Sequence, residues 1–89
     1  MTKAIKFYAN WCGPCKVYSK SWDKVAEKLG ESVEFVEVDI ESDTTGLAAE
    51  YKIKSIPFTV IIKEDKTVTK TGLIRETELE ELILYMKEL

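Results

Sequence analysis

The sequence predicts an α/β fold with the element order β-α-β-α-β-β-α. Three observations carry that prediction. Short runs of β-branched and aromatic residues alternate with stretches of helical period, the pattern of a βαβ unit. Two later runs, 58–63 and 67–70, are separated only by Glu64-Asp65-Lys66, a hairpin spacing. The 89 residues are 45% hydrophobic and 33% charged, which suits one globular domain, 1–89, with a small core.

Residues 3–8 contain Ile5, Phe7 and Tyr8 and read as a central strand. From about 13 to 29, Tyr18, Trp22, Val25, Ala26 and Leu29 fall on one helical face, and Lys20, Lys24, Glu27 and Lys28 on the other. Pro14 sits in the first turn, where its missing N–H costs nothing, and Gly30 reads as the stop. Residues 33–40 are a second strand, which the crossover makes parallel to the first. Ser42 and Asp43 are candidate caps for a short helix over about 44–52, with Leu47, Ala48 and Tyr51 as its contacts. Pro57 breaks that helix, since the residue before a proline avoids the helical region. The runs at 58–63 and 67–70 are then antiparallel strands, ended by Gly72. In the last helix, about 75–88, Leu79, Leu82, Ile83 and Met86 share a face. Thr77 and Glu80 suggest a capping box there, and Glu76, Glu78, Glu80 and Glu81 suit the positive end of its dipole.

Several function classes are excluded. The net charge is −3 and the basic residues are scattered among acidic ones, so nothing invites nucleic acid or an anionic membrane. There is no histidine, hence no His general base, no Cys–His dyad and no mixed Cys/His zinc site within one chain. Two cysteines alone cannot fill a tetrahedral zinc site. No apolar run approaches the roughly 20 residues of a membrane span. Met1-Thr2-Lys3 leads straight into a strand without a secretory h-region, so a cytoplasmic location is expected. A lone cysteine pair in that reducing setting points to catalysis rather than a structural staple.

The chemistry concentrates in Cys12 and Cys15. A C-x-x-C pair between a strand and a helix, in a βαβ context, is a redox motif. Cys12 precedes the helix, where unpaired N–H groups and the dipole favour its thiolate, so it is the expected nucleophile. Cys15 lies one turn further in and is the expected resolving thiol.

The full string Trp11-Cys12-Gly13-Pro14-Cys15-Lys16, after such a strand, resembles the active-site signature of the thioredoxin family. The resemblance covers nearly the whole chain. It implies the minimal thioredoxin fold, a four-stranded mixed sheet with helices on both faces. The additional strand and helix that precede the active-site strand in full-length thioredoxins are missing, which brings the size nearer to glutaredoxins. Gly13-Pro14 is the dipeptide of reducing members. Pro57 resembles the family's cis-proline, which would present the Ile56 backbone to an extended substrate. Trp11 is then substrate-facing and Trp22 is core. Gly72 resembles a glycine of the docking surface, the plain alternative being a turn glycine.

Three departures stand out. Lys6 occupies the position of a buried family Asp, and Glu37 matches a Lys on the neighbouring strand. A charge-reversed pair, Lys6–Glu37, is expected beneath the cysteines to hold the Cys15 thiolate or relay its proton, unless both side chains reach solvent. Lys20 replaces a helix-kinking proline. The segment 70–75 has one glycine and Arg75 where glutaredoxins have a Gly-Gly turn and an acidic cap, so glutathione binding is unsupported.

The function so implied is protein-disulfide reduction by a cofactor-free monomer. Its partners are disulfide-containing substrate proteins and an external reductase of the thioredoxin reductase kind, drawing on NADPH. The rivals are a glutathione-dependent reductase, an oxidant or isomerase, a non-catalytic binding subunit, and a metal-bridged dimer through Cys12.

Overall fold

The computed structural model describes residues 1–89. Four strands and three helices run in the expected order: β1 (Thr2–Tyr8), α1 (Gly13–Leu29), β2 (Val33–Asp39), α2 (Leu47–Glu50), β3 (Phe58–Lys63), β4 (Lys66–Thr71) and α3 (Glu76–Lys87). The sheet order is β2-β1-β3-β4. β1 runs parallel to β2 and antiparallel to β3, and β4 closes a hairpin with β3. No helix is long and apolar enough to cross a membrane.

Strand alternation sorts the core into two faces. Ala4 and Ile61 point toward α1 and α3 and join Tyr18, Trp22, Val25, Leu79, Ile83 and Met86 in the larger cluster. Ile5, Phe7, Val38 and Val60 point the other way, toward Leu47, Ala48 and Tyr51 of the α2 segment. Helices thus cover both faces. β1 is central and buried on both sides, and its C-terminal end feeds directly into the Cys12 turn.

Two local expectations fail for identifiable reasons. The second helix is shorter than 44–52, running only over Leu47–Glu50 from a left-handed Gly46, φ +79°. Asp43 accepts N–H bonds from Thr45 (2.8 Å) and Ala48 (2.9 Å), and Thr45 Oγ1 accepts from Leu47 N–H at 3.1 Å. These side chains offer the backbone a turn in place of a helical start. The Asp43 carboxyl is held below its usual range by the Thr45 hydroxyl and the Ala48 amide.

The Thr77–Glu80 capping box is also absent. α3 begins at Glu76 with an extended Arg75 as N-cap, whose side chain makes no cap bond. Thr77 is therefore already inside the helix. Gly30 ends α1 in an ordinary right-handed conformation, φ −61°. Its function is room, because a Cβ there would lie 2.7 Å from the Ala26 carbonyl oxygen.

Candidate active site

The turn after β1 delivers the two cysteines. Cys12 N–H bonds the Ala9 carbonyl at 3.2 Å, and Lys16 N–H bonds the Cys12 carbonyl at 3.3 Å. Cys12 is the N-cap of α1, with extended backbone, and its Sγ accepts the Cys15 N–H at 3.2 Å. The first turn of α1 holds no acidic residue, so nothing offsets the positive helix end beside that sulfur. The two cysteines are joined as a disulfide with Cα atoms 5.2 Å apart. They pack with Ala9, bordered by Tyr8, Ile40 and Ile56.

The loop before β3 completes the mouth. The Ile56–Pro57 peptide is cis, as the resemblance implied. Cys12 Sγ lies 3.9 Å from the Ile56 carbonyl oxygen. Gly72 N–H bonds the Pro57 carbonyl at 2.8 Å. Gly72 has φ +85° and open space where a Cβ would stand, so any other residue is strained there and projects outward. Gly13 and Pro14 are exposed at the helix start. Trp11 is 66% exposed and Trp22 only 1%, opposite fates for the two indoles. The structure therefore gathers Trp11, Cys12, Gly13, Pro14, Cys15, Ile56, Pro57 and Gly72 at one end of the sheet.

Lys6 and Glu37 lie one layer deeper. They face each other in the β1–β2 register, with Thr59 on the other side of Lys6. Lys6 is wholly buried, and its Nζ sits 2.8 Å from Glu37 Oε1 and donates to Ser19 Oγ at 2.8 Å. It also lies 5.3 Å from the Tyr8 ring centroid and 5.5 Å from that of Trp22, within cation–π range. The Glu37 side chain is half exposed, so the pair spans from core to surface. Only half of the solvent-reaching alternative applies. Neither sulfur is among the hydrogen-bond partners of Lys6. Its connection to the dithiol runs through Ser19, one helical turn after Cys15, and through Tyr8, whose ring borders the disulfide.

Sequence reasoning missed Ser19 and Tyr8 beside Lys6, and Ile40 beside the disulfide. Ser19 carried one faint signal, a small polar residue between Tyr18 and Trp22 and four positions after Cys15.

The same row holds Tyr18, whose hydroxyl meets Thr59 Oγ1 at 2.7 Å. Burial pushes the Tyr18 hydroxyl up to about 12, only partly countered by the Thr59 bond, with Glu78 adding to the rise. The unfolded chain ionises Tyr18 near 10, so native stability holds below that pH and drains as pH climbs toward 12. The loss is about 2–3 kcal/mol over the interval. Urea unfolding of wild type and Tyr18→Phe checks this. Near neutral pH the variant is less stable by about 1 kcal/mol, for the lost hydrogen bond. Above about pH 11 the order inverts, because Phe cannot ionise.

The model of the thioredoxin family matches residues 2–88. The chain belongs to the thioredoxin family. A thioredoxin of Mycoplasmoides gallisepticum is 38% identical over 80 residues, spanning 89% of this chain and 78% of that protein. The mitochondrial thioredoxin of Mus musculus is 38% identical over 77 residues, or 85% of this chain and 46% of that protein. Among solved structures, Fasciola hepatica thioredoxin superposes with a TM-score of 0.81 at 34% identity, covering 94% of this chain and 79% of its own. A chloroplastic thioredoxin z superposes with a TM-score of 0.88 at 25% identity, covering 100% and 80%. As a member of that family the chain is a thiol–disulfide oxidoreductase with protein-disulfide reductase activity, and Cys12–Cys15 is its active-site C-x-x-C pair.

Proposed function

We propose that Cys12 opens the reduction of a substrate protein's disulfide and Cys15 closes it. The Cys12 thiolate attacks one substrate sulfur, the substrate S–S bond breaks, and one substrate thiolate leaves. The Cys15 thiolate then attacks Cys12 Sγ and expels the second substrate thiolate. Two electrons pass to the substrate, and the Cys12–Cys15 disulfide remains. An external reductase fed by NADPH restores the dithiol. Trp11, Gly13, Pro14, Ile56, Pro57 and Gly72 form the surface on which the substrate backbone docks, and Lys6 with Glu37 sets the charge behind Cys15. The chain needs no cofactor and works as a monomer and a single domain. A reducing compartment fits this role and the cytoplasm is the one proposed, although relatives include mitochondrial and chloroplastic thioredoxins.

The observation that carries the assignment is the N-cap position of Cys12, with its sulfur accepting the Cys15 amide. Orphan N–H groups stabilise an anion at that end of a helix. Reduced protein treated with substoichiometric iodoacetamide at pH 7 tests it by peptide mapping. Cys12 should label about tenfold or more faster than Cys15. Equal labelling, or labelling led by Cys15, overturns the assignment. The same sample, equilibrated in thiol buffers, should poise near the thioredoxin value of about −270 mV rather than the glutaredoxin range of about −200 to −230 mV.

A further inference from the structure

The mouth of the site has a one-sided charge. Lys16 follows Cys15 directly and is exposed. Lys54 is exposed two residues before Ile56, whose carbonyl lies beside Cys12 Sγ. Arg75 is exposed three residues after Gly72, which is tied to Pro57. None of the three has a side-chain carboxylate within 4.0 Å; of the other basic side chains Lys6, Lys24, Lys28, Lys66 and Lys70 do, and Lys3, Lys20, Lys52, Lys63 and Lys87 do not. Glu76 and Glu78, beside Arg75, are engaged with Lys24, Lys28 and Lys70. The carboxylates at this end of β2 and just beyond it, Asp39 and Glu41, belong to the opposite edge of the sheet from β4. The side where Ile56 and Gly72 meet is thus unpaired and basic on a chain of net charge −3. Two exposed apolar side chains accompany it, Trp11 and Leu73, at 66% and 51% exposure.

We infer that this rim selects protein disulfides flanked by carboxylate side chains, with an apolar residue between the acidic groups and the scissile sulfur. The selection rests on the reductase reading above. A substrate segment laid along Ile56 meets Lys54 and Arg75 on one flank and Lys16 across the dithiol. Leu73 and Trp11 cover its apolar residue and exclude water from the exchanging sulfurs. Unpaired charges around a docking site act mainly on encounter rate and on the rejection of wrong partners. The rim therefore favours acidic substrates in kcat/KM and repels basic ones, and both effects fade with salt.

Two disulfide-bridged peptides with the same apolar neighbours, one flanked by Asp and Glu and the other by Lys, provide the test. The reduced wild-type chain should react with the acidic peptide about tenfold faster at low ionic strength. The ratio should approach one in about 0.5 M NaCl, where the screening length is only a few ångströms. In K16Q/K54Q/R75Q the low-salt ratio should fall to about two or less. Lys66→Gln, at the far end of the β3–β4 hairpin, should keep the wild-type ratio. Equal wild-type rates for the two peptides, or a preference that survives the triple substitution, overturns the inference while leaving the reductase reading intact. Failure to reduce either peptide or an uncharged disulfide overturns both.

Discussion

Cys15→Ser should stop the reaction half-way and hold the substrate on the protein. With the second thiol gone, Cys12 still attacks, but nothing internal expels it from the mixed disulfide. Turnover on a protein disulfide should fall by about three orders of magnitude, with a covalent adduct accumulating one to one. Non-reducing electrophoresis and intact mass read the adduct directly. The reciprocal variant, Cys12→Ser, should lose turnover without forming an adduct. Both sulfurs are nearly buried, at 5% for Cys12 and 2% for Cys15, but Cys12 is the N-cap and Cys15 lies inside the first turn of α1, so the substrate is expected at Cys12. An adduct through Cys15 in that variant would invert the roles assigned here. Neither change should unfold the chain, because Ser nearly preserves the volume and most of the core lies in the two clusters on the sheet faces.

Periodicity made the fold legible because its elements are locally consistent. The apolar face of α1, the β-branched run of β2 and the short β3–β4 turn each admit one arrangement, and together they admit one topology. The site was legible for a different reason, since a C-x-x-C at a strand–helix junction has few other uses. What escaped notice depended on competition between local bonds or on packing across the sheet. The segment 42–46 offered Ser42 and Asp43 as caps, and the structure instead spends Asp43, together with Thr45, on a turn. Thr77 and Glu80 matched a capping pattern, yet the chain enters α3 two residues earlier, from Arg75. Lys6 was readable as a departure from the family pattern, but its surroundings were not. Ser19, Tyr8 and Trp22 meet its ammonium only after α1 has packed on β1, a non-local fact that no window of sequence contains.

Lys6→Met and Glu37→Gln should move the reactivity of Cys15 in opposite directions. The Lys6 ammonium is held against Ser19, about 6 Å of helix rise below Cys15. With an effective dielectric constant between about 20 and that of water, a unit charge about a helical turn away is worth about 1 kcal/mol to a thiolate, or roughly fivefold in its population. Glu37 carries the opposite charge at 2.8 Å from that ammonium and acts on the thiolate with opposite sign and similar size. Lys6→Met removes the cation and should slow the attack of Cys15 on the mixed disulfide about fivefold at pH 7, shifting its rate profile to higher pH. Glu37→Gln leaves the ammonium uncompensated and should speed that step by a similar factor, shifting the profile to lower pH. Stability should respond differently. Met fills the buried site with an apolar stem and should cost little, because the Glu37 carboxylate left behind is half exposed and stays solvated. Glu37→Gln strands a buried charge with only Ser19 and two ring faces, at a cost of about 1–3 kcal/mol. A purely architectural pair would change unfolding midpoints without opposite shifts in the pH profile. Stopped-flow rates from pH 6 to 9 on both variants, with urea midpoints measured alongside, separate the two roles. Parallel shifts, or none, would remove Lys6 and Glu37 from the mechanism and leave them as the polar seam between sheet and helix.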